Sequence, residues 1–410
     1  MTTSPIDAPC VEKRILSIDV VRGIALFGLL PMNILAFALP LSSYFTPADY
    51  QGELLSSYIS HFFTSIIFDQ KMMGMFSFLF GCSIVIMSKR ENNKISRPWV
   101  RHYLRNFWLL IFGVIHAIFI WENDVLSVYA LCAFFIYPLI LLPRLYILFI
   151  SIGLWLCVLG LSVYLGASIS SVVENSNSHF YSFNSSSNQI AEYSAMFLTG
   201  YIDGITARFD FIEIITHVDT FILEIFTYSA FLRAPSLILL GVVFIKYDGW
   251  SKVISKSVLN KALVITGVCY LLSAIGFFIN VFQNWNIEVY FKVSSIINQL
   301  ITPVLVATYI IIIMYAVQNN YLQTVFKLLA NAGRMAFTLY IMQSLLMTFV
   351  FYGWGLGLFG SLDRFQLWGV IICTWIIQLG FANLWLYYFK RGPLENVWRV
   401  LSFSFKTKKA

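Results

Sequence analysis

Apolar runs of 18 or more residues recur along the whole of this 410-residue chain, and no other feature constrains its fold as much. A run of that length crosses the roughly 30 Å hydrocarbon core of a bilayer as an α-helix. Inside lipid every backbone N–H and C=O needs an internal partner, which leaves helices or a closed barrel, and the period-two alternation of a barrel is absent. Composition agrees, with 59% of residues hydrophobic and 11% charged, against about 25% charged in an average soluble domain. The fold class is all-α, a polytopic integral membrane helical bundle.

Ten spans are expected, at about 20–41, 66–88, 106–122, 125–142, 145–167, 221–245, 262–282, 293–317, 330–353 and 366–388. The cations orient them. All but five of the 27 Lys and Arg fall in segments on one side, the exceptions being Lys71, Arg208, Arg233, Lys292 and Arg364. Excess cations mark cytoplasmic loops, so both termini are expected in the cytoplasm. The net charge of +7 suits inward loops facing anionic lipid and calls for no nucleic acid. Val20 to Pro40 is too long for a signal-peptide core, and an uncleaved first helix is expected. The chain divides into N-terminal helices (1–167) with a basic loop, a Ser- and Asn-rich extracytoplasmic loop (168–220), and a C-terminal membrane region (221–410). The six cysteines show no CxxC or metal-like spacing, and neither a disulfide framework nor a metal is expected.

Polar groups inside a membrane are expensive and therefore informative. Asp19 and Arg22 stand three apart and can pair on one helix face. His116 follows Arg105 by eleven residues, about 16 Å into the membrane at helical rise, and Arg233 lies at similar depth before Lys246. Asp124, in the turn Glu122-Asn123-Asp124, is about 12 Å from His116 along a straight helix, so any link is expected to run through water or a substrate unless the turn folds back. Asn298, Gln299, Thr302, Gln343 and Ser344 are expected as interhelical hydrogen-bonding groups. The loop "KRENNKISRPWVRHYLR", with Arg97, Arg101 and Arg105, is the strongest anion-attracting feature, for lipid headgroups or for the phosphates of a cytosolic cofactor.

Several stretches resemble a known family. "RILSIDVVRGIALFGLLPMNI" looks like the opening signature of YeiB-like proteins, and "FDQKMMGMFSFLFGCS" resembles their second block. "RHYLRNFWLLIFGVIHAIFIWENDVLSVYAL", "NAGRMAFTLYIMQSLLMTFVFYGWGLGLFG" and "GPLENVWRVLSF" complete the set, the last two resembling the domain of unknown function 418. Leu339 departs from the family's usual Asn before the Tyr, and Cys82 from its Gly or Ala.

The family is similar in expected fold to transmembrane acyltransferases such as the heparan-α-glucosaminide N-acetyltransferases, which move an acyl group from cytosolic acyl-CoA across the membrane. That resemblance implies acyl-CoA as donor substrate and an envelope glycan or lipid as acceptor. The protein would then be a multi-pass component of the bacterial cytoplasmic membrane, in contact with lipid and with its oligomeric state, dimer included, left open. Acyl transfer to a hydroxyl or amine needs a base near neutral pH, the range of imidazole. His116 is the candidate base, with His61 as rival. Asp124 is expected to orient it, Arg233 to stabilise the oxyanion, and Arg97, Arg101 and Arg105 to hold the cofactor's phosphates. The alternative is a transporter of a small anionic solute using Arg233, His116 and Asp124, with Pro303 marking a broken helix.

Overall fold

The computed structural model describes residues 8–45, 47, 55–92, 98–175, 197–206 and 229–403. Arg97 and most of the 168–220 loop lie outside them. Among the described residues all regular structure is helical. The longer elements are α1 (Ala8–Ala38), α2 (Leu55–Phe63), α3 (Lys71–Asn92), α4 (Pro98–Phe119), α5 (Leu126–Leu139), α6 (Arg144–Asn175), α7 (Ala234–Lys246) and α8 (Lys256–Phe282). They continue with α9 (Ser295–Gln318), α10 (Gln323–Arg334), α11 (Ala336–Phe351), α12 (Arg364–Tyr388) and α13 (Pro393–Phe403). Local chemistry explains many of the starts. Proline opens α4 and α13, where a missing N–H costs nothing. Ser255 caps α8, and Asp363 with Gln366 forms a capping box on α12.

Among the described residues, seven helical stretches can cross a membrane by length and composition, or eight if the bent pair α10–α11 is one span. Of the remaining expected spans, 125–142 is the short helix α5, and 221–245 is described from 229 onward, as a π-helical turn (Ser229–Arg233) followed by α7. The sixth helix runs to Asn175, past the expected start of the polar loop at 168. Pro303 does not break α9, which continues through it. The break occurs instead at Met335, where α10 and α11 meet at 84°.

Burial separates centre from rim. The most apolar window of α1 is 78% buried, against 28% for α4, α6, α8 and α12, whose outer faces are apolar and suit lipid. Glycine lets two pairs of helices touch backbone to backbone. A Cβ on Gly23 of α1 would run into the Leu329 carbonyl of α10, and one on Gly333 into the Asp19 carbonyl. Gly81 of α3 and Gly241 of α7 face the Ile238 and Phe78 carbonyls in the same way. Small residues permit this approach in lipid, where association depends on close packing. Helices from either side of the long loop thus share one core: α1 packs on α10 and α3 on α7.

The last helix also holds the bend. Both carboxylate oxygens of Glu395 serve the start of α11, one accepting from the backbone N–H of Phe337 and Thr338 at 2.9 and 3.1 Å and the other from the Thr338 hydroxyl. An anion at a helix N-terminus is favoured by the free amides and the helix dipole. Glu395→Ala should therefore cost about 1.5–3 kcal/mol, the range for hydrogen bonds to a charged group. Glu395→Gln should cost less, and thermal unfolding in detergent measures both.

Candidate functional site

His116 closes the membrane part of α4. The backbone then turns back, with the Ile120 and Trp121 N–H groups both donating to the His116 carbonyl at 2.9 and 2.8 Å. This return brings Asp124 to the ring, its Oδ1 lying 3.0 Å from His116 Nδ1, with the two side chains 2% and 1% exposed respectively. The expectation of a link through water or substrate is thereby corrected: the turn folds back and the contact is direct. It is a close contact off the line of a straight hydrogen bond. The other oxygen, Oδ2, accepts from the Ser127 N–H at 2.6 Å, so Asp124 also caps the start of α5. That helix N-terminus stabilises a carboxylate. Gly113, one turn before His116, leaves the room: a Cβ there would fall 2.6 Å from Asp124 Oδ2. His116 Nε2 is buried and has no hydrogen-bond partner among the described residues. Such a group is costly to keep and calls for an explanation.

Tyr340 of α11 stands beside the imidazole, the ring centroids 5.2 Å apart, and its hydroxyl accepts from the Val125 N–H at 3.3 Å. Its other side faces a cavity of about 660 Å³. Cations gather on the walls of that cavity: Arg22, Arg105 and Arg334 line it, together with His102, Asp19 and Glu395. Each arginine has a defined seat. Arg22 donates to Asp19 at 2.9 Å and to the Gly333 carbonyl at 3.4 Å. Arg105 lies 3.7 Å over the Trp398 ring, and Arg334 donates to Asn331 and to the Lys390 carbonyl. Other walls are apolar, including Phe76, Leu79, Leu109 and Phe337. Of the three arginines expected at the cofactor, Arg105 lines the cavity, Arg101 does not, and Arg97 lies outside the described residues. Arg22, Arg334 and Tyr340 were not expected here. They belong to stretches the family resemblance rests on, but only the crossing of α1 and α10 brings them to α4.

Arg233 does not join His116. It lines a second cavity, of about 220 Å³, with Tyr44, Asp69 and Gln70, and donates to the Met73 sulfur at 3.8 Å. Beside it sits a polar network in which only Asn298 was expected from sequence, as an interhelical hydrogen-bonding group. Lys71, 1% exposed, donates from Nζ to Asn298 Oδ1 at 2.7 Å and to the Ser65 carbonyl at 2.9 Å. Asn298 Nδ2 in turn donates to Asp69 Oδ2 at 2.7 Å, and the Tyr44 hydroxyl to Asp69 Oδ1 at 2.8 Å. Burial first, and then the Asp69 carboxylate, raises the Tyr44 phenol well above its ordinary range, which keeps it a donor. The signal was the charged pair in "FDQK", at the edge of an apolar run. His61 borders a small cavity with Asp69 and Lys71, against the Phe277 and Trp285 rings. Aromatic rings pack against His61, whereas His116 has a carboxylate against its ring. Gln343 does join helices as expected, donating to Gln378 at 2.9 Å.

Residues 244–404 match the family described as protein of unknown function (DUF418). That region supplies Arg334, Tyr340 and Glu395 but neither His116 nor Arg233. Similarity to single proteins extends much further. The chain is 28% identical to the uncharacterized protein YxaH of Bacillus subtilis, covering 98% of this chain and 97% of that one. It is also 28% identical to the uncharacterized protein YeiB of Escherichia coli K12, covering 95% and 96%. A 39.9 kDa protein from the amylase 3' region of Bacillus acidopullulyticus is 25% identical over 98% and 97%.

Proposed function

We propose, from the premise that the chain belongs to the YeiB-like family carrying the domain of unknown function 418, that it is a multi-pass acyltransferase of the bacterial cytoplasmic membrane. It takes an acetyl-like group from acyl-CoA at the end of the bundle bearing Arg22, Arg105 and Arg334. It passes that group to a hydroxyl or amine on an envelope glycan or lipid. One observation carries this reading: a buried imidazole held by a buried carboxylate, His116 Nδ1 to Asp124 Oδ1 at 3.0 Å, beside a cavity walled by arginines.

The residues suit a CoA ester. A volume of about 660 Å³ falls in the range of roughly 300–1,000 Å³ typical of small-molecule sites. Arg105 and Arg334 supply charge for phosphates, and the apolar walls suit the pantetheine arm and acyl chain. In the reaction the acceptor gives its O–H or N–H proton to His116 as its oxygen or nitrogen attacks the thioester carbonyl carbon. The C–S bond breaks, the acyl group stays on the acceptor, and the imidazolium returns the proton to the departing CoA thiolate. Tyr340 stands between imidazole and cavity, so this reading requires it to move when the donor binds.

Acetyl-CoA should raise the melting temperature of the purified protein, with an affinity that falls steeply with salt. Arg105→Gln and Arg334→Gln should each weaken binding about tenfold, the loss of one charge-assisted contact of about 1.5 kcal/mol. Arg101→Gln should do less. Indifference of the wild-type protein to acetyl-CoA would defeat the donor assignment.

A second reading, a translocator of a small anionic solute, draws on a separate observation: Leu29 lines both cavities, so the two approach one point of α1. It predicts solute uptake by proteoliposomes and no response to acetyl-CoA.

A further inference from the structure

Acyl transfer needs two complementary groups at the thioester: an acceptor for the proton of the attacking O–H or N–H, and a donor for the oxygen on which charge develops. Arg233 was expected in the second role, but it lines the other cavity. Several donors on the wall of the first cavity are committed to the protein itself. Arg22 is bound to Asp19, and the Tyr129 hydroxyl donates to the Met73 carbonyl. The Asn106 amide donates to the His102 carbonyl, and the Trp398 indole to the Arg105 carbonyl.

Tyr340 differs. It is 4% exposed and lines the same cavity. Its hydrogen bond among the described residues is one that it accepts, from the Val125 N–H at 3.3 Å, which leaves the O–H proton without an acceptor there. Buried tyrosine hydroxyls usually donate to a partner, so this one calls for an acceptor from elsewhere. The Val125 bond also ties the hydroxyl to the turn that carries Asp124. His116 presents the complementary group. Its ring centroid lies 5.2 Å from that of Tyr340, and Nε2 is buried with no hydrogen-bond partner among the described residues. Asp124 against Nδ1 favours the neutral ring's proton on that nitrogen, so Nε2 offers a lone pair. An unpaired donor and an unpaired acceptor thus stand on two neighbouring rings.

We infer that Tyr340 is a catalytic residue, donating its O–H to the thioester carbonyl oxygen as the acceptor attacks. This rests on the acyl-transfer reading and supplies the oxyanion donor that the reading lacks. A CoA ester entering by the cavity meets the Tyr340 hydroxyl before the imidazole. The turn of the ring that opens a path to Nε2 keeps the hydroxyl on the cavity wall, against the carbonyl oxygen. In the addition step the acceptor oxygen or nitrogen bonds to the carbonyl carbon and its proton passes to Nε2. The carbonyl oxygen becomes an oxyanion hydrogen-bonded to Tyr340, which keeps its own proton. In the collapse the C=O re-forms, the C–S bond breaks, and the thiolate takes the proton from the imidazolium. A hydrogen bond to an oxyanion is stronger than one to a neutral carbonyl, so this contact lowers the barrier more than it tightens binding.

Two measurements on the full chain test this. The first is infrared difference spectroscopy of acetyl-CoA, isotopically labelled at the carbonyl carbon and bound to the protein in detergent; it requires no turnover. The bound carbonyl stretch should lie lower in the wild type than in Tyr340→Phe. It should lie lower still with fluorotyrosine, a more acidic phenol, in place of Tyr340. The fluorinated protein keeps both hydroxyl and ring, so it carries the test even where Tyr340→Phe does not fold. His116→Ala should retain the wild-type frequency, which separates the donor from the base. The second measurement is release of CoA from acetyl-CoA by proteoliposomes supplied with an envelope extract. Tyr340→Phe should lose about 10²–10³-fold in turnover, the usual cost of removing an oxyanion donor, while its affinity for acetyl-CoA changes by less than about tenfold. A tyrosine that only packs against His116 gives one carbonyl frequency in wild type, Tyr340→Phe and the fluorinated protein, and that result would overturn the proposal. Wild-type turnover in Tyr340→Phe would do the same. Bound acetyl-CoA with an unshifted carbonyl removes this inference alone and leaves the acyl-transfer reading standing, whereas failure of the wild-type protein to bind acetyl-CoA removes both.

Discussion

His116→Ala is expected to lower turnover about 10²–10⁴-fold, the usual contribution of a general base, while acetyl-CoA still binds. The measured quantity is release of free CoA from acetyl-CoA by proteoliposomes supplied with an envelope extract. Binding should persist because Tyr340, and not the His116 ring, lines the cavity proposed for the donor. Asp124→Asn should lose nearly as much as His116→Ala. Its Oδ1 lies 3.0 Å from Nδ1, so an amide there removes the charge that would stabilise the imidazolium. It would also weaken the cap on α5, because Asp124 holds the Ser127 N–H. Gly113→Ala separates these roles: its Cβ would press on Asp124 Oδ2 and on Ser127, shifting the carboxylate without removing it. Turnover should drop in that variant and its pH optimum should move, which a purely structural lesion would not cause. Full turnover in His116→Ala with none in His61→Ala would place the base at His61 instead.

Gly333→Ala and Gly23→Ala are expected to prevent stable folding or lower the melting temperature severely. Alanine ordinarily gains up to about 1 kcal/mol over glycine inside a helix. Here the added methyl would meet a backbone carbonyl of the crossing helix, Asp19 or Leu329. A backbone carbonyl cannot swing aside as a side chain can. Overpacking costs typically about 1–3 kcal/mol, sometimes more, so the clash outweighs the propensity gain. The same crossing seats Arg22, whose guanidinium donates to the Gly333 carbonyl, so a surviving variant should also bind acetyl-CoA poorly. Gly153→Ala in α6 is the control. Nothing lies within 4 Å of its Cβ position, and the change should be neutral or slightly stabilising. Equal melting temperatures for Gly333→Ala and Gly153→Ala would remove the crossing from the account of stability.

Composition and periodicity were enough to determine the helical membrane class, because lipid leaves the backbone few alternatives and long apolar runs are visible without any partner. The start of α12 beside the Asp363 cap lies close to the expected 366, whereas α4 begins at Pro98, eight residues before the span expected at 106. The suspicion attached to His116, Asp124 and Arg233 also came from sequence, through the cost of polar groups in an apolar run. Which of them meet was a different kind of question. Linear spacing put Asp124 about 12 Å from His116, and only the reversed turn after Phe119, with room left by Gly113, brought the two to 3.0 Å. Equal depth made Arg233 look like a partner of His116, but depth fixes one coordinate of three, and the packing of α7 on α3 turned Arg233 to the other cavity. Asn298 lies more than two hundred residues of chain from Asp69 and Lys71, so their network exists only where α9 passes the start of α3. One-dimensional patterns record what each segment must avoid, such as exposed backbone in lipid. Contacts between segments are set by how glycine crossings and bends orient whole helices, and those are properties of the packed bundle.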